Sequence, residues 1–175
     1  MLGKILLNIF FIILITIIQI GFIGSLPHYL NEINIVIISL IFILETKNFI
    51  SALSWGIGFG FILDVFSFQF FGINIVSIFL SIAMAHYLHL NFFTDKSIYA
   101  YSALIFFTCF SYEVLINIFY YFEIFFKKQD YGIIWTNGLF LEKIAGFLVN
   151  IILTVVFFYF FNYLSNRLKP VFLFK

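Results

Sequence analysis

Apolar residues run in long blocks along this chain, separated by short polar stretches. A bilayer core of about 30 Å takes about 20 helical residues, and on that measure the blocks form six candidate spans, at 5–24, 27–44, 48–64, 71–90, 98–126 and 141–164. Ser25 as an N-cap and Pro27 in the first turn allow the second span to begin near 27, with a polar outer end at His28, Asn31 and Glu32. The fifth block is longer than a crossing requires, so it is expected to tilt or to project into the headgroups. The first block could be mistaken for a signal peptide. Its apolar run is too long for one and no small-x-small site follows, so it is read as a retained helix.

Composition reinforces this reading. The chain is 64% hydrophobic and 10% charged, with a mean hydropathy of +1.16, whereas soluble domains are roughly half apolar and a quarter charged. The expected fold is all-α, a polytopic membrane protein built as a compact bundle of six transmembrane helices with short loops. Its 175 residues leave no room for a soluble domain, so residues 1–175 are read as a single integral membrane domain. A net charge of +1 supplies no basic stripe for nucleic acid. The single cysteine, Cys109, lies in an apolar block, which excludes an internal disulfide and suggests a small packing residue.

Basic residues near span ends are retained on the cytoplasmic side. With the N-terminus inside, the inner segments hold Lys4, Lys47, Lys96, Arg167, Lys169 and Lys175, and the outer ones hold Lys127, Lys128 and Lys143. This distribution predicts a cytoplasmic membrane protein with both termini inside, its basic tail drawn to anionic lipid on the inner surface.

The third block carries the sharpest feature. Ala52, Gly56, Gly60 and Asp64 recur every four residues and so share one helix face. Small residues at this spacing let a neighbouring backbone approach closely. The neighbour is either another helix of the same chain, the commoner case, or a docked partner helix. A carboxylate at membrane depth costs about 2.5 to 3.5 kcal/mol on insertion scales. Two roles justify Asp64: accepting hydrogen bonds from N–H groups at the start of the next helix, or serving a proton or ion relay. A relay wants a second acid, for which Glu113, with Asn117 one turn on, is the candidate; no further chain of acids or histidines continues the path, which favours the structural role.

Other polar groups are weaker signals. His86 and His89 lie three residues apart with Asp95 nearby, short of a complete metal set, and read as interfacial histidines. Glu45, Lys47, Glu142 and Lys143 fit headgroup-level settings. There is no Gly-x-Ser-x-Gly elbow, His-Glu-x-x-His helix, phosphate loop or cysteine pair, and Gly56-x-Gly58-x-Gly60 lacks the strand of a dinucleotide fingerprint. The sequence therefore predicts no enzyme and no cofactor.

Gly60-Phe-Ile-Leu-Asp64 followed by Gly72 resembles the rod shape-determining MreD family, small six-span proteins whose third helix ends in Gly-x-x-x-Asp with a glycine eight residues later. Gln19 near the end of the first span resembles a glutamine common there in that family. The chain differs where the family often has Pro before the second apolar core, here Glu32-Ile33-Asn34, and Gly four residues after the acid, here Phe68. The resemblance implies a non-catalytic scaffold that binds MreC and helps couple MreB filaments to RodA and its penicillin-binding transpeptidase. It implies too that the 52–64 face and the 65–72 turn organise the MreC surface. A rival of the same size is the substrate-binding S-component of an energy-coupling-factor vitamin transporter, with a pocket built from His28, Asn31, Glu32 and Asn74. The Ala-x-x-x-Ala common on the first helix of such proteins is absent from 5–24. A proton-coupled carrier using Asp64 and Glu113 ranks below both.

Overall fold

A computed structural model describes residues 2–27, 30–67, 69–93, 98–127 and 137–172. Among them the chain forms six α-helices and no strand: α1 (Leu2–Ile17), α2 (Ile35–Thr46), α3 (Phe49–Phe66), α4 (Ile73–Asn91), α5 (Ile98–Lys127) and α6 (Asn137–Phe172). α1 continues through a π-turn at Ile18–Phe22 and a 3-10 turn at Ile23–Ser25. Five helical stretches are long and apolar enough to cross a membrane: Ile5–Ser25, Phe49–Phe66, Ile73–Asn91, Tyr99–Phe126 and Lys143–Phe160. This is a multi-pass helical membrane protein.

The second span departs from expectation. α2 has 12 residues, about 18 Å at 1.5 Å per residue, and the chain before it is not continuously helical. Ser25 is no N-cap: its hydroxyl donates to the Gly21 and Phe22 carbonyls at 3.0 and 2.8 Å, so it closes the first helix. Leu26, held extended at ψ 147°, follows from the constraint that Pro27 puts on its predecessor. The true N-cap is Asn34, whose side chain accepts from the Ile37 N–H at 3.0 Å.

α2 is nonetheless the centre of the bundle. Val36, Ile37, Ile38, Leu40, Ile41 and Leu44 are all buried, and a helix apolar on most of its circumference belongs inside. α3, α4 and α5 pack on it. The outer sides of α1, α3 and α5 expose Leu6, Phe10, Ile50, Phe61, Phe110 and Phe122. In water such a surface would aggregate; in hydrocarbon it is the ordinary exterior of a span.

α3 makes its close contacts through glycines. A Cβ on Gly58 would stand 3.0 Å from Ile12 of α1, and one on Gly56 would stand 2.6 Å from Ile82 Cδ1 of α4. At Gly60 the approach is between backbones, with Ile75 Cα 2.7 Å from the Cβ position. Ala52 on the same stripe is fully buried. The stripe of small residues is therefore filled by α4 of the same chain, so a partner helix cannot lie directly on it.

Candidate functional site: a polar joint at the start of α2 and α4

A helix begins with four N–H groups that have no intrahelical acceptor. At α4 the N-cap is Gly72, with φ +104° and open space around its Cβ position. Glycine is suited to this left-handed backbone, but it has no side chain to cap with. Asp64 supplies the missing acceptor from α3. Its Oδ1 accepts from the Asn74 N–H at 2.9 Å and from Asn74 Nδ2 at 3.0 Å, and its Oδ2 accepts from the Ile75 N–H at 3.2 Å. Ile73 N–H donates to the Phe70 carbonyl at 3.3 Å, and Val76 N–H makes the first bond of the helix itself, to the Gly72 carbonyl at 3.0 Å, so the donors of Ile73, Asn74 and Ile75 are all accounted for.

The carboxylate is 3% exposed, and its charge faces the positive end of the α4 dipole. Tyr112 extends the joint to α5 by donating its hydroxyl to Asn74 Oδ1 at 3.0 Å. Asp64, Asn74 and Tyr112 thus tie three helices through one buried network. Gly60 makes it geometrically possible, because only a glycine lets the start of α4 come within reach of the α3 carboxylate.

A second joint holds the segment before α2. Gln19, in the π-turn, donates from Nε2 to the Ile33 carbonyl at 2.8 Å and accepts at Oε1 from the Ile35 N–H at 2.9 Å. From the other side, Asn150 of α6 accepts from the Asn34 N–H at 2.8 Å and donates to the carbonyls of Glu32 and Gly146, both at 3.0 Å. Non-helical backbone is tolerated at membrane depth only when protein covers it and its polar groups are paired. The π-turn swings Gln19 out of regular α register, a use typical of such bulges. Gly146 lets the segment pack against α6: a Cβ there would collide with Glu32 Cβ.

Next to this clamp Lys143 bridges two carboxylates, with Nζ 2.7 Å from Glu32 Oε2 and 3.1 Å from Glu113 Oε2. Glu113 is thus paired with α6 while Asp64 is paired with α4, and the direct relay between the two acids is not formed. Asn117, named with Glu113 as the second member of a relay, is exposed and donates back to the Glu113 carbonyl at 2.7 Å. The cavity lined by Glu32, Tyr112, Glu113, Lys143 and Asn150 has a volume of about 10 Å³, room for a single water. Of the residues proposed for a vitamin pocket, Glu32 and Asn74 are engaged in these contacts, Asn31 is exposed, and His28 lies outside the described residues.

At the opposite end of α4, His89 Nδ1 lies 2.7 Å from Glu45 Oε1 and His86 stacks on Phe49 at 4.3 Å. No cluster of three or more potential metal ligands occurs among the described residues. Asp95 lies outside them. Cys109 is a buried free thiol.

Sequence reasoning missed Asn150, Tyr112 and the Lys143 bridge. Asn150 is a lone amide inside an apolar stretch, a signal of the same kind as Asp64 though weaker for want of charge. No protein-family model, curated protein or solved structure matches this chain.

Proposed function

We propose that this chain is a non-catalytic membrane scaffold of the bacterial cell-elongation machinery, of the kind the MreD family provides, resident in the cytoplasmic membrane with both termini inside. It binds MreC, and through MreC helps couple MreB filaments to RodA and its penicillin-binding transpeptidase. One observation carries the reading: the Gly60, Asp64 and Gly72 positions on which the resemblance rests work together as an assembly joint, the acid consumed in capping α4. A buried carboxylate that accepts three hydrogen bonds from the start of the next helix is poorly suited to turnover and well suited to fixing a turn.

The stripe of α3 acts indirectly in this proposal. By fixing where α4 starts, it sets the turn in which Val65, Phe66, Phe70 and Phe71 are exposed. Those side chains are the surface offered to the single membrane helix of MreC. Co-purification of MreC from membranes tests the assignment: Phe66→Ser with Phe71→Ser lowers recovery while the variant remains folded, and Asp64→Ala lowers it too. Full recovery with both stable variants rejects that surface, and depletion that leaves rod shape unchanged rejects the function.

A further inference from the structure

Among the described residues, α1, α2 and α6 line a groove of about 700 Å³ with one side of α2 as its floor. Its walls are apolar: Phe11 and Ile15 on α1, Phe157 and Phe158 on α6, with Ile38 and Phe42 below. At one end this changes. There the lining is Thr46, Trp55 and Tyr101, and the ammonium of Lys47 sits 5.6 Å from the centre of the Trp55 ring. Lys47 is exposed, so its charge is available to a ligand. The nearest acid of α2, Glu45, has a side chain only 2% exposed and lies against His89, so among the described residues of α2 and the turn after it Lys47 carries the exposed charge.

Length decides what fits. The floor is the 12 residues of α2, about 18 Å, against about 30 Å for a bilayer core. A partner's spanning helix would overrun the groove by nearly half its length. An acyl chain of one leaflet matches it, with its headgroup at the level where Lys47, tryptophan and tyrosine collect. A lysine beside an anionic surface attracts the phosphate.

We propose that this groove binds one anionic diacyl phospholipid from the leaflet at the Lys47 end, an acyl chain lying along α2 and the phosphate paired with Lys47. The lipid completes the packing between α1 and α6 that protein leaves unfinished. The site is independent of the joint at Asp64 and of any partner of the chain.

Trp55 reports on the site directly. The full-length chain with Trp135→Phe, which leaves Trp55 as the single tryptophan, is reconstituted in phosphatidylcholine vesicles containing a small fraction of acyl-brominated phosphatidylglycerol. A parallel set carries the same fraction of acyl-brominated phosphatidylcholine, with unlabelled phosphatidylglycerol restored. The proposal expects phosphatidylglycerol to quench Trp55 with roughly fivefold preference, the factor one lysine near the surface provides. Lys47→Gln, an exposed change, abolishes the preference, and Ser39→Phe, which fills the floor, weakens quenching by both lipids. Equal quenching by the two lipids in the unaltered chain overturns the proposal in favour of ordinary boundary lipid. A preference that survives Lys47→Gln overturns the pairing, and the absence of quenching by either lipid means that protein covers the groove.

Discussion

α2 and α4 both start inside the bundle, where their free N–H groups have no water to bind, and they meet that constraint with different chemistry. α4 follows a tight turn and receives one charged acceptor from α3, which serves two backbone donors and one side chain. α2 follows residues 30–34, which form no α-helix and are held by neutral amides from three places: Asn34 itself, Gln19 and Asn150. A single carboxylate concentrates the function in one residue and depends on a close backbone approach at Gly60. A set of amides spreads it over residues far apart in sequence, where no one loss removes every bond. The contrast implies a brittle joint at α4 and a graded one at α2.

The largest effect is expected at the backbone contact. Gly60→Ala forces a methyl into the Ile75 main chain and should cost at least about 2 kcal/mol, read as a lowered midpoint of thermal unfolding in detergent. Gly56→Ala meets side chains and no backbone, Ile82 Cδ1 at 2.6 Å and Ile78 Cγ2 at 3.1 Å, and should cost less, about 1 to 2 kcal/mol, so the ratio between the two sharpens the claim that Gly60 is special. Asp64→Ala comes next, at about 2 to 3 kcal/mol, because it leaves buried donors of Asn74 and Ile75 unpaired; Asp64→Asn, which keeps an acceptor, should lose less.

At α2 the losses should be smaller. Asn150→Leu removes three hydrogen bonds and Gln19→Leu two, each expected to cost about 1 to 2 kcal/mol, with the double variant close to additive if the amides act independently. A double variant far worse than the sum would make the α2 joint as brittle as the other. Tyr112→Phe should be the mildest, about 0.6 to 1.5 kcal/mol, the range for one interhelical bond in a membrane bundle.

The two joints differed equally in how far the sequence disclosed them. Asp64 stands out against an apolar background, and the four-residue rhythm of Ala52, Gly56 and Gly60 puts a close packing face beside it, so both the acid and its neighbourhood were legible. What filled the face was not: the rhythm is the same for a partner helix and for α4. The α2 joint was nearly invisible. Ser25 and Pro27 mimic a helix start, but the constraint before proline ends α1 instead, and the real start at Asn34 depends on Asn150, 116 residues away. Glu113 illustrates the same limit. Adjacent residues on a helix point about 100° apart, so Tyr112 turns toward α4 and Glu113 toward α6, and a single sequence does not orient the helix. Gly146 and Lys143 acquire meaning only once Glu32 is brought against α6.

Amide hydrogen exchange at Asn74 and Ile75 tests the central claim most directly, comparing the unaltered protein with Asp64→Ala in the same detergent. If Asp64 caps α4 from α3, both amides are protected in the unaltered protein and exchange rapidly in the variant, while Ile78 and Ile82 deeper in α4 keep their protection. Unchanged protection at Asn74 and Ile75 in Asp64→Ala would contradict the account.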